Sequence, residues 1–177
     1  MVQGWVLPLF LSSDPGFASG GFIADSKHSG GKIINGSQQQ FITRNMDIAA
    51  WDNAVWNTVF LGVNGAPDDA SFPSPPFTTI DSNPLSREKP YVFVEGIDFF
   101  VRVPSLNTNS RGTSWGNGFD LGVSRALSEF YVATPTNSID EINTVLSNGK
   151  HLLLTPGVYD VDKTIVVQNA DTVVLGL

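Results

Sequence analysis

The chain has 177 residues, 41% of them hydrophobic, which is enough for a buried core and excludes wholesale disorder. Acidic residues outnumber Lys plus Arg by 17 to 10, so the formal charge is −7; such a surface repels a nucleic-acid backbone, and no basic run overrides it. The absence of cysteine excludes disulfides, thiolate zinc sites and cysteine nucleophiles, and leaves the redox compartment open.

Only 15% of residues are charged, whereas Gly, Pro, Asn, Ser and Thr are plentiful, a mix that fits a β-rich surface of hydroxyls and amides. The apolar stretch from Val6 to Leu11 lacks a basic flank and is interrupted by Pro8. It reads as a buried strand or packing segment rather than a signal peptide, and it is too short to cross a bilayer. Residues 1–30 are rich in Gly and Ser, with an apolar patch at Phe22-Ile23-Ala24. From Lys32 to Val63 come short β-type runs, KIING, QQQFITRN and AVWNTVFLGV, each bounded by Gly, Asn or Asp. Their length and spacing suit stacked rungs of a solenoid, so residues 1–63 are expected to be terminal rungs of a first β-helix.

Residues 64–86 hold five prolines, which remove backbone donors, and a Pro-rich connector without ladder or helix is expected over 64–90. Residues 91–136 read as a hairpin and loop region. Tyr91–Glu95 and Asp98–Val103 flank a turn at Gly96-Ile97, and their alternation predicts one buried and one wet face. Ser138 to Asn148 is the clearest helix: Ser138 and Glu141 form a capping box, Ile139, Ile142, Val145 and Leu146 share a face, and Gly149 stops it. Four strand-like runs follow, HLLL, GVYDV, TIVV and TVVLGL, so 137–177 is expected to hold a capping helix and the first rungs of a second β-helix. The helix has a physical task there, because the first coil of a solenoid exposes an apolar interior that needs a cover. The sequence stops on the apolar run Val173–Leu177, from which an excerpt of a longer protein, aggregation-prone in isolation, is expected.

The segment GKHLLLTPGVYDVDKTIVV, preceded by the EIN helix, resembles the opening coil of pectate-lyase-superfamily β-helices. NGSQQQFITRN, AVWNTVFLGVNGAP, PLSREKPYVFV and TPGVYDVDKTIVVQNADTVVLGL, in that order, resemble large extracellular proteins of tandem β-helices, among them exo-β-1,3-glucanases. Some relatives of that type carry labels such as coagulation factor 5/8 type domain protein or adenylyl cyclase. The resemblance implies a mainly β fold, a right-handed parallel β-helix with a short capping helix, placed at the junction of two tandem helices. It also implies an extracellular glycoside hydrolase acting on a glucan-type polysaccharide or cell-wall glycan, with catalytic carboxylates on later rungs of the second helix. The alternative is a non-catalytic β-helix adhesin or carbohydrate-binding structural protein.

Within the chain, no carboxylate pair stands out as the acid and base of a glycosidase. Asp68-Asp69 reads as solvated, Glu88 between Arg87 and Lys89 as an ion-pair member, and Glu95 and Asp98 as turn flanks. Asp160 and Asp162 lack the six to eight oxygens a calcium ion takes, so no metal and no cofactor is expected. Trp115, Trp51 and Trp56 are the candidate sugar-binding residues, since an indole offers a flat face to a pyranose. Trp115 lies in the polar stretch RGTSWGNG, whereas core packing competes for Trp51 and Trp56. Gln38-Gln39-Gln40 with Arg44-Asn45 reads as a polar ladder between coils, and Asn35-Gly36-Ser37 is a glycosylation sequon, which has meaning only in a secreting eukaryote. Gly30-Gly31-Lys32 is followed by Ile33 rather than Ser or Thr, and Gly116-Asn117-Gly118 lacks a flanking strand and helix, so neither supports nucleotide binding. His28 and His151 sit in no metal-binding spacing.

Overall fold

The structure, a computed structural model, describes residues 7–8, 20–35, 40–52, 56–115 and 122–177. The chain forms two compact units, Met1–Glu88 with Leu106–Phe119, and Lys89–Ser105 with Asp120–Leu177.

In the first unit, short strands follow one another as β1 (Leu7–Pro8), β2 (Gly21–Ala24), β3 (Lys27–His28), β4 (Ile33–Ile34), β5 (Phe41–Arg44), β6 (Asp47–Ile48), β7 (Trp51–Asp52), β8 (Thr58–Leu61) and β9 (Phe77–Ile80). They pair in parallel as three sheets, β1-β4-β7, β3-β6 and β2-β5-β8-β9. Along the largest sheet Gly21 pairs with Phe41, Phe41 with Thr58 and Thr58 with Phe77, one coil per step. That is the winding of a parallel β-helix. Alternation in FITR and TVFL decides what faces inward. Phe41, Thr43, Thr58 and Phe60 are buried, while the residues between them face out. Inside, Trp51 packs on Phe41 at 5.8 Å and edge-on to Phe60 at 5.3 Å, and Phe60 meets Phe77 at 5.8 Å. Ile33, Met46, Ile48 and Val63 complete this core. The inward polar groups are satisfied between coils. Asn35 donates to Thr58 Oγ1 at 3.2 Å, and Thr43 Oγ1 donates to the Val59 carbonyl at 3.3 Å.

The Pro-rich segment corrects one expectation, because a ladder does run through it. β9 is the fourth strand of the largest sheet, and Thr58 N–H donates to the Pro76 carbonyl at 2.9 Å. The prolines bracket β9 without entering it, so the missing donors fall outside the pairing. β10 (Asn83–Ser86) does contain Pro84, but it pairs only with β13 (Asn107–Ser110) in an antiparallel two-stranded ribbon. Both strands of a ribbon are edges, the place where a proline is tolerated.

The second unit begins with the expected hairpin. β11 (Tyr91–Glu95) and β12 (Asp98–Val103) pair from Tyr91↔Arg102 to Glu95↔Asp98, and β14 (Val123–Ala126) adds antiparallel to β12. The expected clean division into wet and buried faces is not seen: Val101 is the buried residue of the two arms, and Val94, Ile97 and Phe99 are exposed. Only part of the sheet is covered, where Val101 meets Phe130 and Leu153.

After a short 3-10 turn at Leu127–Glu129 come β15 (Phe130–Ala133), α1 (Ile139–Ser147), β16 (His151–Leu154) and β17 (Val174–Gly176). The three strands are parallel, with Phe130 beside His151 and Leu152 beside Val174. Ser138 Oγ accepts the Glu141 N–H at 3.2 Å, half of the expected capping box. The other half is missing because the Glu141 carboxylate is taken by the Tyr131 hydroxyl and the Asn137 amide. Ile139, Ile142 and Leu146 pack on Ala133 and Leu152, so α1 covers the apolar side of this coil. Gly149 ends the helix at φ +83°, a conformation that favours glycine.

HLLL became β16 and TVVLGL contains β17, but GVYDV and TIVV are not strands. The neighbouring coil at TIVV is α1 rather than a strand. Its Asn143 amide donates to the Thr164 carbonyl at 3.0 Å and accepts the Val166 N–H at 2.8 Å, so one side chain stands in for a ladder bridge.

His151 is buried against Phe130, and its Nδ1 accepts the Val173 N–H at 3.1 Å, which requires an unprotonated Nδ1. Burial lowers its pKa from the ordinary 6.5; Arg125 lowers it further and Glu129 opposes. The unfolded chain therefore takes up this proton more readily. Stability from this group is complete above about pH 6.5 and declines as pH falls through the folded-state value. Thermal melts between about pH 7.5 and 5 should show that decline, and His151→Gln should flatten it. Equal pH slopes for both proteins would remove His151 as the cause.

Candidate functional site

A polar pocket of about 250 Å³ lies in the first unit, built from the β10–β13 ribbon, the loop after it and one corner of the coils. The corner comes first. Asp25, Asn45 and Gly62 follow β2, β5 and β8 and turn the chain with φ of +48°, +50° and +62°. Their N–H groups donate to Arg44, Leu61 and Ile80 carbonyls of the next coil at 3.1, 2.9 and 2.9 Å, so the turns stack in register.

The ribbon and the loop to Trp115 lie on this stack like a strap. Asn45 is buried; its Oδ1 accepts from Asn83 Nδ2 at 2.7 Å, and its Nδ2 donates to Ser110 Oγ at 2.9 Å. Gly112 N–H donates to the Gly62 carbonyl at 2.9 Å. Thr113 Oγ1 donates to Asp47 Oδ2 at 2.8 Å, and Asn64 Nδ2 donates to Asp47 Oδ1 at 2.7 Å. Ser114 donates through N–H and Oγ to the Asp25 carboxylate at 2.6 and 2.9 Å. Trp115 Nε1 donates to the Asp25 carbonyl at 2.9 Å. Three successive coils therefore hold one loop.

Burial pushes the Asp47 carboxyl up, but the Asn64 and Thr113 hydrogen bonds and the charge of Lys27 outweigh it, and the net shift is downward. At the other end of the pocket Arg44 grips Glu88 through both guanidinium nitrogens at 2.6 and 2.8 Å. A bidentate pair of this kind fixes geometry and cancels the Glu88 charge.

The sequence candidates separate clearly on this scaffold. Trp115 is half exposed, with its indole N–H fixed and its ring open to solvent. Trp56 is also half exposed. Trp51 is buried in the first core and offers no face to a ligand; its N–H finds no acceptor among the described residues. Glu88 is the expected ion-pair member, with Arg44 as partner. Asp68, Asp69, Glu95, Asp98, Asp160 and Asp162 are all exposed. Asn45 spends its amide on Asn83 and Ser110 of the ribbon rather than on a neighbouring coil, which corrects the expected ladder between coils at this position, and Gln38 and Gln39 lie outside the described residues. Asn35 is fully buried, which corrects the sequon reading, since a glycan needs an accessible amide. Gly116-Asn117-Gly118 lies outside the described residues.

The pocket is not legible in the sequence. Its one signal is the run of small polar residues from Asn107 to Ser114, which looks like any loop until its partners Asp25, Asn45 and Asp47 are known.

Stacked parallel strands with in-register corners and a helix covering a coil define a right-handed parallel β-helix of the pectate-lyase-like class. Residues 130–177 match the family described as the LAM55 pectate lyase-like domain. The chain is homologous to an exo-β-1,3-glucanase of Streptomyces sp. (strain SirexAA-E / ActE), 51% identical over 162 residues, 92% of this chain and 26% of that protein. It superposes on the solved structure of sacteLam55A from Streptomyces sp. SirexAA-E with a TM-score of 0.91 and 48% identity, covering 98% of this chain and 31% of that one. A variant of sacteLam55A in complex with glucose gives the same TM-score and identity over 97% of this chain and 31% of that one. The chain thus spans between about a quarter and a third of the relatives it matches.

Proposed function

We propose that this chain is the scaffold part of an extracellular glycoside hydrolase that acts on β-1,3-glucan, with the hydrolytic carboxylates outside the chain. The observation that carries this reading is the 51% identity over 92% of the chain to an exo-β-1,3-glucanase. The placed carboxylates agree with it, since Asp25, Asp47 and Glu88 are engaged in holding the strap. On this reading residues 1–63, with the further coil that β9 adds, belong to a first β-helix, and 137–177 open a second. Trp115 and Trp56 are stacking contacts for sugar rings, and Trp51 is not.

The test is to incubate the protein that carries this chain with a soluble β-1,3-glucan and, separately, a β-1,4-glucan, and to follow glucose release. Glucose from the first substrate alone is the expected result. No sugar release from either would overturn the hydrolase, and retained glucan binding in that case would favour a non-catalytic carbohydrate-binding protein.

A further inference from the structure

The pocket beside the strap has a rigid floor and an uncommitted rim. On the floor, Asn45, Ser86, Ser110 and Thr113 spend their polar atoms on one another and on the coils. On the rim, Thr108, Asn109 and Arg111 are exposed and line the same cavity. Among the described residues, the Thr108 and Asn109 side chains engage no protein partner, and Arg111 uses only its Nε, donating to Asn64 Oδ1 at 2.8 Å. This is the usual division of labour in a small-molecule site, with fixed walls and a few convergent polar groups left for the ligand.

The chemistry of the rim narrows the ligand. One hydroxyl, one amide and one guanidinium supply both donors and an acceptor, a set that matches vicinal hydroxyls. The Glu88 carboxylate is cancelled by Arg44, so Arg111 carries the one uncompensated charge on the lining; the net charge of −7 on the chain repels an anion, whereas a neutral ligand meets no such repulsion and still accepts the guanidinium's hydrogen bonds. Size argues against a long chain lying inside. A volume of about 250 Å³ falls just under the roughly 300 Å³ at which drug-sized sites begin, so a single ring fits best.

We infer that this pocket is a subsite for one neutral pyranose, a glucose unit, held by Thr108, Asn109 and Arg111 over the Asn45–Ser110 floor. The inference rests on the carbohydrate reading above and adds a place within this chain where the sugar binds. Trp115 stands one residue beyond Ser114, the last lining residue, where its open indole face can meet a further ring.

The test is a crystal of the whole protein soaked in about 10 mM glucose, a concentration matched to weak, millimolar-range sites, alongside crystals of the double variant Thr108→Val/Asn109→Gly. Glycine is the choice at 109 because that residue has φ +48°, so the side chain is removed without straining the turn. Glucose bounded by Thr108, Asn109 and Arg111 in the wild type, and no glucose there in the double variant, is the expected result. An unfilled wild-type pocket overturns the inference, and so does glucose that stays in the double variant. Equal melting temperatures for the two proteins separate loss of contacts from loss of the ribbon. Glucan hydrolysis with an unfilled pocket would remove this subsite and leave the enzyme reading standing; a filled pocket without hydrolysis would do the reverse.

Discussion

Truncating Phe60 to alanine is expected to destabilise the first unit by about 3–5 kcal/mol. Phe60 is fully buried at the centre of β8, edge-on to both Trp51 and Phe77, and so joins side chains from three successive coils. Removing the ring leaves a void that those two aromatics cannot close without dragging their strands, because β8 is held between β5 and β9 in fixed register. The same substitution at Phe22 is the control. Phe22 lies on the outer face of the same sheet, largely exposed, with the Arg44 guanidinium 5.8 Å from its ring centre. Phe22→Ala should change stability by no more than about 1 kcal/mol, the size of an exposed cation–π contact. Denaturant unfolding of both variants measures the difference. Comparable losses would mean that the interior of these coils is not packed as described.

That contrast also shows how far local patterning carries. Phe22 and Phe60 are both aromatics in short β-type runs, and the sequence marks neither as inner or outer. The inward face of FITR and TVFL was not legible, because apolar residues stand on both faces of each run: Phe41 and Phe60 point in, Ile42 and Val59 point out. The helix at Ser138 was legible, since its cap and apolar face are local. Coil offset is not local. It decides that β9 pairs with β8 despite the prolines around it, and that Trp51 turns into the core while Trp56 stays at the surface. TIVV reads as a strand by composition, yet its neighbour one coil back is a helix whose Asn143 stands in for a ladder partner. The pocket was the least legible feature. Its floor joins Asn45 to Asn83 and Ser110, separations of 38 and 65 residues, and nothing in a window of ordinary length links them.

Gly62→Ala is expected to loosen that floor and to cost about 3 kcal/mol, far more than a methyl group on an ordinary surface turn. Two effects add. At φ +62° an L-residue is strained, and a Cβ built on Gly62 would lie 2.6 Å from the Ser110 carbonyl oxygen and 3.1 Å from the Asn83 nitrogen. Both obstacles are backbone, so no rotamer change relieves them. The corner itself is held by its N–H bond to Ile80, which leaves the ribbon as the partner that must move. Once the ribbon moves, Gly112 loses its bond to the Gly62 carbonyl, and Ser110 is drawn away from Asn45. The variant should therefore show two linked changes: a lower unfolding free energy, and faster amide exchange at Gly112 and Ser114 than in the wild type. Asn45 and Asp25 sit at the matching corners with φ near +50° and carry side chains without difficulty, because theirs donate to or accept from the strap instead of colliding with it. A stable Gly62→Ala protein with unchanged exchange at Gly112 would mean that the strap does not rest on this corner, and the walls of the pocket would then not be fixed.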